Sequence, residues 1–433
     1  MTNAPSSTPP GPPGPTWLVL LCASRFGSSL AFMVYAGALA PTIQAWGMSG
    51  GEAGAIQTAF NAGYALSLVL SSWFADGLGA KRVFLWSGWA SALTGLAFAL
   101  FARSAASGLV LFALVGLTQG GTYAPSIMLV AQGVPAERRG AAVGWLLGAG
   151  SLGYFASIAL AAGLSEHCGY ETAFLVCGIG PLLAAAAATL GLRGQPNRIA
   201  AAGTTAARPA GLRVRTFPDA FRFLADRRSV LLTAGYTTHC WELLGMWAWL
   251  PAFLTVSLSA SGSAAVQGLW IAGAIHLSGF LSSLTMGKAS DRLGRRTVLV
   301  AMGVLGAGCS LAIGWMQALP LWAILPVAAL YGFAALGDSP VLSTAMTESV
   351  EPGSLGAALA VRSILGFGAG GVAPLAVGLV LDRVGIDAAG AGGGSGWGWG
   401  FAILGVGGGI AAVCAALLPA DRPVPSATAR LRS

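Results

Sequence analysis

Apolar residues along this chain run in blocks of about twenty, separated by short stretches rich in Gly, Pro and charge. About twenty apolar residues is the length of helix that crosses a bilayer core. The first six blocks cover residues 17–40, 52–74, 83–102, 107–131, 141–163 and 172–192. The second six cover 229–255, 264–287, 297–317, 319–346, 356–381 and 397–418. Each predicts a spanning helix, so the expected fold class is an all-α membrane protein with twelve transmembrane helices. The expected organisation is a disordered tail over 1–16, a six-helix bundle over 17–192, a basic linker over 193–228, a second bundle over 229–419 and a tail over 420–433.

The second set repeats the first. Ser72–Arg82 reads SWFADGLGAKR and Gly287–Thr297 reads GKASDRLGRRT. Asp76 maps to Asp291, Gly79 to Gly294 and Pro125 to Pro340, each 215 residues on, and Gly140-Ala141-Ala142 maps to Gly356-Ala357-Ala358 one residue further. The repeat predicts two pseudo-symmetric six-helix bundles, an architecture of secondary transporters.

Composition excludes the other broad classes. Of 433 residues 55% are hydrophobic and 9% charged, against about 25% charged in soluble domains. A soluble enzyme, a disordered chain and a nucleic-acid binder are all ruled out. The net charge of +8 is mostly a topology signal. Nineteen of the 23 basic residues fall on one side of the predicted spans, among them Lys81, Arg82, Arg138, Arg139, the eight linker arginines, Lys288, Arg292, Arg295 and Arg296. By the positive-inside rule that side is cytoplasmic, with both termini, and the expected location is the cytoplasmic (inner) membrane. Six scattered cysteines offer neither a CxxC pair nor a metal-ligand spacing, so no metal and no disulfide framework is expected. No GxxxxGK[ST] loop for ATP is present, and no cofactor is expected.

The loop Gly287-Lys288-Ala289-Ser290-Asp291-Arg292-Leu293-Gly294-Arg295-Arg296 resembles the cytoplasmic signature of the major facilitator superfamily. The copy after the second span keeps Asp76, Gly79, Lys81 and Arg82, with Ser72 in place of the first Gly. The resemblance covers residues 17–419. It implies a transporter that is not an enzyme, with these motif residues gating the cytoplasmic side. It also implies a central cavity lined by spans 1, 4, 7 and 10. Two family features are absent: Gly116 stands where many proton-coupled members carry an Arg before Gln119-Gly120, and span 5 has no Gly-Pro signature. Glycine-rich spans 5 and 11 resemble nitrate- and cyanate-type porters, although spans 2 and 8 lack the nitrate porters' arginines. An Arg in the first span is similar to organic-anion members.

Ionisable groups inside a span are costly and mark functional candidates. They are Arg25, His239, Glu242, His276, Asp338 and Arg362. Arg25 is about eight residues into its helix, roughly 12 Å deep. It either docks an anionic substrate group or pairs with Asp338 or Glu242. Arg362 lies at similar depth to Asp338 on the next antiparallel span, and either pairs with it or contacts the anion. Pro340 frees a backbone carbonyl near Asp338. Tyr236, His239 and Glu242 share one face of span 7, so His239, Glu242 or Asp338 could carry a coupling proton, or His239 and Glu242 could bond each other. Gln119, Tyr123 and Tyr236 join Arg25 as substrate-binding candidates, and Tyr123 is the repeat position of Asp338. His276 reads as a packing histidine.

The expected function is transport of a small solute, an organic anion, by proton-coupled uptake with alternating access. The partners are membrane lipid, the small-molecule substrate and protons, with no nucleic acid, in a monomer. Two alternatives stay open: an exporter of a neutral or amphipathic compound, and a transport-dead membrane sensor.

Overall fold

The computed structural model describes residues 16–134, 136–197, 222–257, 264–350, 355–384 and 395–419. The two tails, most of the linker and most of the Gly-rich loop 385–400 lie outside them. The described residues are almost wholly helical. The helices are α1 Thr16–Gly37, α2 Leu39–Trp46, α3 Gly50–Leu78, α4 Ala80–Phe101, α5 Ala105–Gln119, α6 Ala124–Gly133, α7 Ala136–Cys168 and α8 Tyr170–Gly191. They continue with α9 Arg227–Ser257, α10 Ala264–Ala272, α11 Ser278–Leu293, α12 Arg295–Ile313, α13 Leu321–Ser349, α14 Leu355–Val384 and α15 Ser395–Ala416.

Ten stretches among the described residues are long and apolar enough to cross a membrane. The helices α3 and α9 are longer still, at 29 and 31 residues, and are not among the ten. Both carry internal polar residues, Glu52, Gln57 and Asn61 on α3, and His239 and Glu242 on α9. Hydropathy therefore supports ten of the twelve expected spans. Two blocks are not continuous α-helix. A 3₁₀ turn, Gly120–Thr122, joins α5 to α6, and a π turn, Gly273–Leu277, joins α10 to α11. Such turns interrupt the 3.6-residue period locally and are frequent at functional sites.

The chain divides into two compact units. The first comprises Met1–Met48, Ile56–Thr204 and Ser261–Ala272. In it α1 packs along α7 and α8, α4 along α8, and α10 along α7. Its core joins Trp17, Leu21, Phe84, Leu129 and Leu146, with a stack of Phe60 on Phe112 at 4.5 Å between ring centroids. The second unit comprises Ser49–Ala55, Thr205–Ala260 and Gly273–Ser433. There α9 packs along α14 and α15, α12 along α15, and α11 along α13. Trp249, Phe253, Trp397 and Phe401 form an aromatic core, and Trp249 donates its indole N–H to the Pro374 carbonyl at 2.9 Å.

Gly79 and Gly294 show why the signature loops need glycine. Both precede a helix with φ at +88° and ψ at 138° and 149° respectively, a conformation that is essentially glycine-only. The two repeat positions therefore make the same turn.

Candidate functional site

In the first unit the guanidinium of Arg25 lies among tyrosines. Helix α1 carries it toward Tyr154 of α7, Tyr64 of α3 and Tyr123 before α6, and only 8% of the residue is exposed. Its Nη2 donates to the Tyr154 hydroxyl at 3.4 Å. The Tyr64 hydroxyl is also in hydrogen-bonding reach, and the charge stands 5.1 Å from the centre of the Tyr123 ring. Arg25 Nε has no partner. Among the described residues of the first unit, no carboxylate forms an ion pair with it. Phe32, two turns along α1, packs on Tyr154 at 4.9 Å, Phe60 at 4.9 Å and Tyr64 at 5.3 Å. Gln119 reaches α1 and donates to the Ser28 carbonyl at 2.6 Å, which ties the fourth block to the first. An uncompensated buried guanidinium costs several kcal/mol, and a desolvated stacked phenol returns about 2 kcal/mol.

In the second unit the buried charges sort differently from the sequence expectation. Asp338 on α13 places Oδ2 3.0 Å from His239 Nδ1 on α9, with 1% and 9% of the two side chains exposed. The contact has the distance of an ion pair without the alignment of a hydrogen bond. His239 Nε2 meets the Ser339 hydroxyl at 3.0 Å, so His239 is bonded to α13 rather than to Glu242. The expected Arg362–Asp338 pair is absent. Arg362 on α14 instead lays its guanidinium 3.9 Å from the centre of the Tyr236 ring and donates to Ser343 at 3.2 Å. Equal depth on neighbouring helices did not suffice, because Asp338 turns toward α9. Arg362 Nε and Nη1, and Asp338 Oδ1, remain without hydrogen-bond partners. The carbonyl that Pro340 frees, that of Leu336, accepts from Ser283 on α11 at 3.3 Å.

Glu242 belongs to a separate network. Its carboxyl is within reach of the Tyr331 hydroxyl, which bonds Ser310 at 2.8 Å, and Ser310 donates to the Phe401 carbonyl at 2.9 Å. Glycines make the room, since a Cβ on Gly408 would come into contact with the Glu242 carboxyl. His276 sits in the π turn, 4% exposed, its ring 5.8 Å from that of Trp247.

The signature loop of the second unit is a charge cluster. Arg295 bonds Asp291 at 2.5 Å and Ser290 at 2.5 Å, and grips Glu348 on α13 through Nη2 at 2.9 Å and Nε at 3.3 Å. Arg296 donates to the Ala416 carbonyl at 2.6 Å. Gly287 and Arg292 lie on α11 with no role in these bonds among those described. In the first unit Lys81 donates to the Gln195 carbonyl at 2.7 Å, and Asn197 bridges the Leu78 carbonyl at 2.8 Å and the Arg82 N–H at 3.3 Å. The start of the linker thus closes that loop. The Asp76 side chain lies outside the described residues. The sequence reading missed Tyr64, Tyr154, Ser343, Glu348 and Asn197. The tyrosines had a signal, being two of only 7 in the chain.

Comparison with known proteins agrees with this architecture. Residues 21–337 and 263–433 match the Major Facilitator Superfamily. A gallate transporter from Pseudomonas putida is 27% identical over 363 residues, 76% of this chain and 77% of that one. A probable chloroplastic anion transporter 6 from Arabidopsis thaliana is 31% identical over 147 residues, 33% of this chain and 28% of that one. Among solved structures, a single-site mutant of the nucleoside transporter NupG superposes with a TM-score of 0.74 at 16% identity, covering 92% of this chain and 98% of that one. A bacterial homologue of the human lysosomal transporter Spinster gives 0.72 at 18% identity, covering 94% and 98%. These two establish likeness of fold. With the family matched along nearly all of its length and ten apolar helices suited to a bilayer, the chain belongs to the Major Facilitator Superfamily and is a multi-pass membrane transporter rather than an enzyme.

Proposed function

We propose that this transporter takes up a small organic anion, an aromatic carboxylate, in symport with protons by alternating access. The observation that carries the reading is Arg25, a buried guanidinium with an open Nε and tyrosines instead of a carboxylate around it. Such a group lacks an anion, and its planar fork fits a carboxylate. The ring-lined surroundings suit an aromatic body. The gallate and anion transporters among its relatives support this substrate class.

The coupling proton resides on the His239–Asp338 pair, with Arg362 beside it. While His239 is neutral, Asp338 and Arg362 balance each other in charge. Adding a proton leaves one net positive charge in a buried setting, which favours entry of an anion. Arg362, Tyr236, Tyr123 and Gln119 shape the two charged clusters. Asp76, Gly79, Lys81 and Arg82, with Gly287, Asp291, Arg292, Gly294, Arg295 and Arg296, form cytoplasmic gating loops. Twelve spans, a monomer in the cytoplasmic membrane and cytoplasmic termini complete the reading, supported by the basic residues crowded on one side.

The test is uptake of gallate into proteoliposomes holding the purified protein. Acid outside should accelerate uptake, and Arg25→Gln should raise KM about 10- to 100-fold, the range for losing a charge-assisted hydrogen bond. Uptake that ignores the pH gradient would remove the symport, and wild-type affinity in Arg25→Gln would remove the docking role.

A further inference from the structure

One and two turns from Tyr64 on α3 lie two buried amides, Asn61 and Gln57, that the anion reading does not use. Gln57 is 8% exposed and Asn61 is 5% exposed. Gln57 Nε2 donates to Asn61 Oδ1 at 3.4 Å, a long bond, and Asn61 Nδ2 has no partner. Buried polar groups in folded proteins are nearly always bonded, so one that is not calls for an explanation. Asn61 and Tyr64 are three residues apart and share a face of the helix, about 4.5 Å apart along its axis. The Tyr64 hydroxyl, like that of Tyr154, is within reach of the Arg25 guanidinium. The Tyr64 ring packs on Phe32 at 5.3 Å and Phe60 at 6.0 Å. Face by face, α3 therefore offers a phenol at the guanidinium, aromatic rings beside it, and an amide with open hydrogen-bonding capacity a turn further on.

We propose that Asn61, positioned by Gln57, binds a hydroxyl group on the substrate at the end away from its carboxylate, so that the site selects hydroxylated acids over unsubstituted ones. A hydroxyl suits the amide in either orientation, because it both donates and accepts. An unsubstituted ring would leave the amide buried and unbonded, and sites built this way discriminate strongly. The inference rests on Arg25 docking the carboxylate.

The test is calorimetric binding of gallate and of benzoate to the purified full chain in detergent. Wild type should bind gallate about tenfold more tightly than benzoate, the size of one hydrogen bond to a buried polar group. Asn61→Leu should bind the two equally while keeping the benzoate affinity of wild type. Its melting temperature should change little, because removing the unsatisfied Asn61 Nδ2 offsets the loss of the long bond from Gln57. Should that variant fold poorly, Asn61→Ser should give an intermediate ratio. Arg25→Gln should weaken both ligands alike. An unchanged gallate-to-benzoate ratio in the Asn61 variants, with both ligands still dependent on Arg25, overturns the hydroxyl contact and leaves the anion reading standing. Equal loss of both ligands in a well-folded Asn61 variant overturns it as well. Wild type that binds neither acid overturns both.

Discussion

Arg25 and Arg362 each rest against a tyrosine ring at a place where a buried cation ordinarily has a carboxylate. A ring quadrupole is worth about 2 kcal/mol when desolvated, while dehydrating the ion costs several, so the rings position these charges without neutralising them. His239 and Glu242 lie on α9 and Asp338 on α13, and their surroundings separate their roles. Asp338 faces His239, whereas Glu242 is enclosed with Tyr331 and Ser310. Replacing Asp338 by Asn should therefore abolish the response of uptake to an imposed pH gradient, while Glu242→Gln should retain it. Measuring both variants in the same vesicles checks the distinction, and loss of the response in Glu242→Gln would place the coupling proton on the second network. The sequence exposed every one of these charges, because an ionisable residue stands out in an apolar block. It did not disclose their partners. Depth in a membrane follows from counting residues, but the direction in which a side chain leaves its helix depends on which neighbours pack there. Tyr64 and Tyr154 went unassigned for a related reason: their rarity marks them, but it does not say which charge they face.

The helices were legible wherever apolar runs were long and uninterrupted. They were less so at α3 and α9, whose buried polar residues lower the hydropathy that marks a span. The turns at Gly120–Thr122 and Gly273–Leu277 fall inside apolar blocks and change no composition, so only coordinates reveal them. The signature loops, by contrast, could be read from the chain, since the glycine spacing carried its own structural reason. Alanine at Gly294 must adopt a backbone conformation costing about 1–3 kcal/mol. Gly294→Ala should lower the melting temperature of the purified protein, and the charge cluster beside it should loosen. An unchanged melting curve would mean that the turn can be made another way. The two loops also differ in how they are held, by Glu348 on a neighbouring helix in one unit and by Asn197 of the linker in the other.

At the scale of the molecule, 9% charged residues serve two separate ends. Most lie at helix ends and in the linker, and a handful lie within the helices. Family membership establishes a transporter, and a fold shared with a nucleoside transporter does not itself specify what is carried. The unpaired Nε of Arg25 has a consequence for inhibition. Ser29 stands one turn along α1 and adjoins the same cluster, its hydroxyl donating to the Arg25 carbonyl at 2.9 Å. A carboxylate grafted there, by Ser29→Asp, would act as a tethered competitor that no dilution removes. The protein should then fold at least as well as wild type, since its buried cation gains a permanent neighbour. It should fail to take up anions at any concentration supplied, and a doubly altered Ser29→Asp, Arg25→Gln chain would not regain transport. On the proposed docking role, one tethered carboxylate would turn the cargo's own binding contact into a permanent block.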